Sequence, residues 1–261
     1  GCVEVHDGCD NCFARQWDKR FDGDHWGARN PRRLVKSWRR TIDRIQRRAS
    51  NLGIVEYVFA GSMMDIFERC HPMVDHDGNV LDGLTTAMVR DEFFNDVVPS
   101  TPNILYLLLT KRPQNILRMI PDGWIVDPPA NVVYGYSAVN QETADAGIPH
   151  LVKVPGRHFL SCEPLLGDLD LRKWLRNDQI DWVITGGESP NPDWRYADPS
   201  WFRDILQQCR EFDVPFHFKQ WGHIDNNPNP SDPTAKFNGG THKGGMLLDG
   251  IAYTDRIPVD V

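Results

Sequence analysis

Six short apolar runs punctuate the chain, at residues 55–60, 104–109, 132–136, 158–162, 182–185 and 215–218. They are rich in β-branched and aromatic side chains and show little polar alternation, the pattern of strands covered on both faces. Between them, apolar residues recur at spacings of three and four, which predicts helices over residues 86–97, 113–120, 141–152 and 199–212. A further helix is expected over residues 34–48, where Leu34, Trp38, Ile42 and Ile45 form one stripe. Alternating strand and helix implies parallel strands joined by crossover helices, in a doubly wound sheet or a barrel of (β/α) units. Six runs, or seven with a strand upstream of Gly1, suit an α/β fold with mostly parallel strands: a partial or complete (β/α) barrel, TIM-barrel-like. Residues 1–222 are expected to form that barrel domain. Residues 223–261 turn to Asn, Pro, Gly and Asp and are expected to be a loop-rich tail packed on the same domain. The stretch Gly239 to Gly245 reads as a mobile loop, because no strand-loop-helix frame makes it a phosphate cradle.

Each apolar run ends in small or polar residues: Gly61-Ser62, Thr110-Lys111-Arg112, Ser137, Glu163-Pro164, Gly186-Gly187-Glu188-Ser189 and Lys219-Gln220-Trp221-Gly222. These are carboxyl ends of strands, where parallel α/β folds gather their ligands. Ser137, Asn140, Glu163, Lys219 and Gln220 are therefore candidates for binding a ligand. Glu163 and Lys219 could equally neutralise each other, since a buried charge needs a partner. Asp65, Lys111 and Arg112 are open to the same two readings, and Trp221 is expected in the core.

A length of 261 residues, 40% hydrophobic and with nine tryptophans, is enough for a substantial core and argues against disorder. No apolar run is long enough to span a bilayer, and the polar start lacks the apolar centre of a signal peptide. The expectation is a soluble cytoplasmic protein with no membrane partner. A formal charge of −7 leaves no general footprint for nucleic acid, yet nine of the 29 Lys and Arg residues fall between Arg29 and Arg48. Lys36, Arg40, Arg44 and Arg48 would form a row along a helix, as a solvated face or as a surface for phosphates. No Ser-His-Asp order, Walker loop or H-E-x-x-H stretch appears.

The opening, Gly-Cys-Val-Glu-Val-His-Asp-Gly-Cys-Asp-Asn-Cys-Phe-Ala, places Cys2, Cys9 and Cys12 in a C-x6-C-x2-C loop. Clustered thiols in a cytosolic chain favour a metal over a disulfide. Three thiolates leave one coordination position free at a soft metal centre, the condition for a reactive iron-sulfur site. His6 offers the competing answer, since three thiolates and an imidazole would close a structural zinc site. That protein would be a zinc-stabilised, non-redox module binding nucleic acid or another partner. A hydrolase using carboxylates and a hard divalent ion is a second rival. Spacing alone leaves zinc and iron-sulfur open. Cys70, Cys162 and Cys209 stand singly and are expected to be buried, apolar-like thiols.

The cysteine loop resembles the opening of the phage-associated three-cysteine proteins, which are regarded as divergent relatives of the radical S-adenosylmethionine superfamily. The resemblance continues through Ser62-Met63-Met64-Asp65-Ile66-Phe67, Leu109-Thr110-Lys111-Arg112-Pro113, Asn140-Gln141-Glu142, Cys162-Glu163-Pro164-Leu165-Leu166-Gly167, Gly186-Gly187-Glu188-Ser189, Phe218-Lys219-Gln220-Trp221-Gly222 and Leu248-Asp249-Gly250. The common superfamily spacing is C-x3-C-x2-C, so the first gap here is longer. The resemblance implies a phage or prophage protein with a 4Fe-4S cluster held by Cys2, Cys9 and Cys12. Its free iron would chelate S-adenosylmethionine and, fed by an external electron donor, generate a 5′-deoxyadenosyl radical that abstracts hydrogen from a substrate. Gly186, Gly187 and Glu188 resemble the Gly-Gly-Glu element that holds the cofactor's amino group, with a tight turn as the plainer reading. Ser137, Asn140, Glu163 and Lys219 would join them around the cofactor. The substrate is unidentified, and the basic row makes a nucleotide or nucleic acid the attractive class.

Overall fold

The computed structural model describes residues 1–21, 23–238 and 241–259. All six apolar runs are strands of one parallel sheet: β1 (Glu56–Phe59), β2 (Ile104–Thr110), β3 (Val132–Tyr136), β4 (Arg157–Cys162), β5 (Trp182–Gly186) and β6 (Phe216–Gln220). They are hydrogen-bonded in sequence order, every neighbour parallel. With right-handed crossovers, that order returns each connection over the same face. The sheet curls into a half-barrel with β1 and β6 as its edges, so among the described residues the barrel is partial rather than closed. Closure in a TIM barrel takes eight strands, and this sheet has six.

The main helices are α1 (Phe13–Arg20), α2 (Trp38–Leu52), α3 (Thr86–Glu92), α4 (Gln141–Leu151) and α5 (Pro199–Glu211). Helix α2 begins at Trp38 rather than Leu34, because the chain is still paired as a strand there: Arg33 lies opposite Val74, whose carbonyl accepts the Leu34 N–H at 2.9 Å. It stops at Gly53, whose φ of 63° is the left-handed C-cap that glycine adopts without strain. The helix expected over residues 86–97 does not stay α: after Glu92 it widens into a π turn, Phe93–Val97. Residues Pro113–Arg118 form a 3-10 helix.

Period-two alternation sorts the strand side chains. Ile104, Tyr106, Leu108, Val132, Tyr134, Leu160, Cys162, Val183, Phe216 and Phe218 face the helices, packing with Ala144 and Ile148 of α4 and Phe202, Ile205 and Cys209 of α5. Leu105, Leu107, Val133, Phe159, Trp182 and Ile184 face the concave side, where they meet Ile257 from the tail. Cys162 and Cys209 are buried as expected, whereas Cys70 is exposed.

A side sheet, like helix α1, was not anticipated. Arg32–Arg33 pairs parallel to Pro72–Val74, which pairs antiparallel to Val80–Thr85. The Arg32 guanidinium, 4% exposed, holds this side sheet in place through Glu68 at 2.7 and 3.0 Å and the carbonyls of His25, Gly27 and Asn30. The tail packs on the barrel: the Phe218 N–H donates to the Tyr253 carbonyl at 3.0 Å, and the Tyr57 hydroxyl to the Ile257 carbonyl at 2.6 Å. Trp221 is fully buried against Phe202 and Phe218, its indole N–H on the Leu247 carbonyl. The stretch Gly239 to Gly245 is in part a strand and not a loop throughout: Thr241–Lys243 pairs antiparallel with Lys236–Asn238, while Gly239 and Gly240 lie outside the described residues. Among the described residues no helix is long and apolar enough to cross a membrane.

Candidate functional site

The concave side chains at the carboxyl ends of the strands enclose a cavity of about 360 Å³. Phe59 of β1, Leu109 of β2, Ser137 after β3, Ser161 and Glu163 of and after β4, and Lys219 of β6 all line it. Its aromatic floor depends on a missing side chain. A Cβ at Gly135 would lie 2.1 Å from the Phe159 ring, so glycine there leaves room for Phe159 to pack edge-on against Phe59, with ring centroids 5.9 Å apart.

The cysteine loop lies across the open end, and Cys2, Cys9 and Cys12 line the same cavity. His6 caps the 3-10 turn Asp7–Cys9: its Nδ1 accepts the Gly8 N–H at 3.1 Å and its carbonyl accepts the Cys9 N–H at 2.8 Å. Burial keeps the imidazole neutral, lowering it to about 4. Nδ1 is thus engaged in shaping the turn, while Nε2 is buried without a hydrogen-bond partner. Burial, then the neighbouring Asp65 carboxylate, push the Cys2 thiol up to about 11, with Arg112 opposing them.

Two guanidiniums fasten this loop to the sheet. Arg112, after β2, donates from Nη1 to Asp65 Oδ2 at 2.7 Å and to Cys2 Sγ at 3.6 Å, and from Nη2 to the Val3 carbonyl at 2.6 Å. Asp65 also accepts from the Thr110 hydroxyl and the backbone N–H groups of Phe67 and Lys111. On the other side Arg195 grips Glu188 through its backbone N–H, Nε and Nη2, while Nη1 reaches Asp10 at 3.0 Å and Nη2 the Asp7 carbonyl at 2.9 Å. Asn11 completes the clamp, donating to Glu188 Oε2 at 2.9 Å.

Of the residues singled out in the sequence, Ser137, Glu163, Gly187, Glu188, Lys219 and Gln220 line the cavity together with the cysteines and Lys111. Lys111 Nζ stands 3.3 Å from the Ser137 hydroxyl. Lys219 pairs with Glu163 at 2.8 Å, which leaves Glu163 Oε1 buried and without a hydrogen-bond partner. Asn140 is not at the cavity. It is the N-cap of α4, accepting the Thr143 N–H at 3.0 Å in a reciprocal capping box, so its amide serves the helix. Gly186 is likewise set back from the lining; a Cβ there would meet Glu163 Oε1 at 2.4 Å, and the missing side chain makes room for that carboxylate. Glu188 lines the wall but spends its charge on Arg195. Sequence reasoning missed Arg195 and Asn11, neither of which sits in a pattern that marks it. Among the described residues no three His, Cys, Asp or Glu side chains form a ready-made cage for a metal ion.

No curated protein and no solved structure matches the chain. A family model described as protein of unknown function (DUF5131) matches residues 1–258, spanning the cysteine loop, the half-barrel and the tail. The chain belongs to the DUF5131 family.

Proposed function

We propose that the protein is a cytoplasmic iron-sulfur enzyme of the radical S-adenosylmethionine type, of the kind its cysteine loop and the phage-associated three-cysteine proteins resemble. The observation that carries this reading is that Cys2, Cys9 and Cys12 line the same carboxyl-end cavity as Ser137, Glu163, Gly187 and Lys219. In a cluster the three thiolates bind separate irons and need not converge on a point, as the ligands of one zinc ion must. With Cys2, Cys9 and Cys12 as its ligands, a 4Fe-4S cluster would supply the electron, drawn from an external donor, that breaks a sulfonium carbon-sulfur bond.

The chain's own residues would bind and orient. Lys111, beside Ser137, offers a cation and a hydroxyl to a carboxylate. Glu163, whose carboxylate lines the cavity, offers an acceptor to an ammonium or a ribose hydroxyl. A half-exposed Lys219 pairs with that carboxylate at 2.8 Å from the solvent side. Phe59, Leu109 and the Phe159 beneath them present an apolar base that excludes water.

The test is metal loading under anaerobic conditions. Wild type should bind iron and sulfide and turn brown through thiolate-to-iron charge transfer. Cys9→Ala should lose the cluster, and Cys70→Ala, whose thiol is exposed and away from the cavity lining, should retain it. Equal iron in both variants, or colourless protein carrying stoichiometric zinc, would overturn the assignment.

A further inference from the structure

Helix α1 leaves the cysteine loop with three large aromatic side chains in the open. Phe13 is 56% exposed, Trp17 53% and Phe21 60%. A spacing of four puts Phe13 and Trp17 on one face of the helix, and Phe21, its C-cap, continues the row. Exposed apolar residues occur elsewhere on this chain, but three aromatics in one row mark a surface that meets something. Phe13 is also part of the cavity lining, so the row begins at the rim of the site and leads away from it. Trp17 and Phe21 have ring centroids 5.1 Å apart, and the Arg20 guanidinium stands 6.0 Å from the Trp17 ring.

The charges nearby select the occupant. Asp18 is engaged by His25, through its ring at 2.8 Å and its backbone N–H at 3.0 Å, while Lys19 and Arg20 are exposed. Further along the chain, whose net charge is −7, Arg29 to Arg48 holds nine basic residues and a single acid, Asp43; Arg32 is buried on Glu68 and Arg39 paired with Glu92, which leaves seven outside these two pairs. Aromatic rings interleaved with cations bind single-stranded nucleic acid, because every base has a π-face and every phosphate a charge. A bilayer would need more apolar area than three rings on an eight-residue helix provide.

We propose that this face of α1 is a stacking platform for unpaired nucleobases, delivering single-stranded nucleic acid to the rim of the cavity. For its purpose the platform rests on the reading of the cavity as an active site. Its binding requires no cluster.

The test is polarisation of labelled short oligodeoxythymidine and oligouridine, each single-stranded, against wild type and Cys9→Ala. Both proteins should bind at least one of the two strands, with affinity falling as salt rises. The comparison of the two labels shows whether DNA or RNA is preferred. Trp17→Ala should weaken binding about tenfold, while Trp17→Phe keeps most of it. Arg20→Glu should also weaken it and flatten the salt dependence. Both Trp17 and Arg20 are exposed, so these variants should fold, which circular dichroism checks. No binding of either strand, affinity indifferent to Trp17→Ala, or binding to anionic phosphatidylglycerol vesicles in place of the oligonucleotides would each overturn the platform. Oligonucleotide binding by protein that never loads iron would leave the platform standing and remove the cluster. Iron loading without oligonucleotide binding would do the reverse.

Discussion

At the scale of single residues, the loop that carries the thiols is held by charge and not by packing. Val5 and Phe13 near it are exposed, and of the three cysteines only Cys9 is buried. Its position is set by Arg112 on one flank and Arg195 on the other, each tied to a carboxylate below 10% exposure, Asp65 at 7% and Glu188 at 4%. Removing one partner of such a pair leaves the other buried and unpaired, which is what makes it expensive. Arg195→Ala should therefore lower stability by about 2–3 kcal/mol, seen as a lower denaturant midpoint. It should also speed the reaction of Cys9 and Cys12 with a thiol reagent in native buffer, because the Asp7 and Asp10 contacts go with it. Adding Glu188→Gln should recover part of the stability, since the stranded charge is gone, but not the slow thiol kinetics. If neither midpoint nor thiol rate moves in Arg195→Ala, the clamp does not hold the loop.

At the scale of elements, the cavity follows from strand parity. In register, the concave positions of β2, β3 and β4 carry Leu107, Val133 and Arg157, then Leu109, Gly135 and Phe159 one step nearer the carboxyl end. The one glycine in that upper layer is where the Phe159 ring passes. Gly135→Ala should cost about 1–3 kcal/mol by overpacking, and Phe159→Leu should relieve that cost when combined with it. An additive double variant would show that the two do not meet. These strands were legible in the sequence because burial on both faces writes a continuous apolar run, and the polar residues ending each run marked the cavity wall. Parity within an unbroken apolar run is silent, so which side chains face inward was not legible. Asn140 shows the limit from the other side: a polar residue just past a strand end can serve the next helix instead of the site. The side sheet escaped notice because Arg32–Arg33 and Pro72–Val74 are two and three residues long and joined only by pairing at a distance. Arg195 escaped for a related reason, its partners Asp7 and Asp10 being more than 180 residues away.

At the scale of the whole molecule, the half-barrel buries imidazoles whose charged form burial disfavours, and this sets how the fold responds to acid. Burial lowers His158 below its ordinary value, although its ring lies between the carbonyls of Gln179 and Val154, and Asp181 opposes the shift. His217 on the concave side is lowered as well, by burial first. Glu163 pulls it up, Arg256 and Lys219 push it down, and Asp255 pulls it up again. Unfolding returns both to about 6.5. Below that value the unfolded chain takes up protons that the folded protein refuses, so stability is full above it and is lost as the pH falls toward the depressed folded values. Asp18, Asp198 and Asp249 are lowered in the fold and lose their contribution in the same direction, but only below the ordinary carboxylate value near 3.8. The two windows are separate. Denaturant midpoints should therefore fall between about pH 7.5 and about pH 5.5, before these three carboxylates titrate. His217→Gln should flatten that upper slope while leaving the steeper loss below about pH 4 intact. A midpoint that holds steady across the upper window would mean that these imidazoles accept protons inside the fold, and that the concave face is wetter than its packing against Ile257 implies.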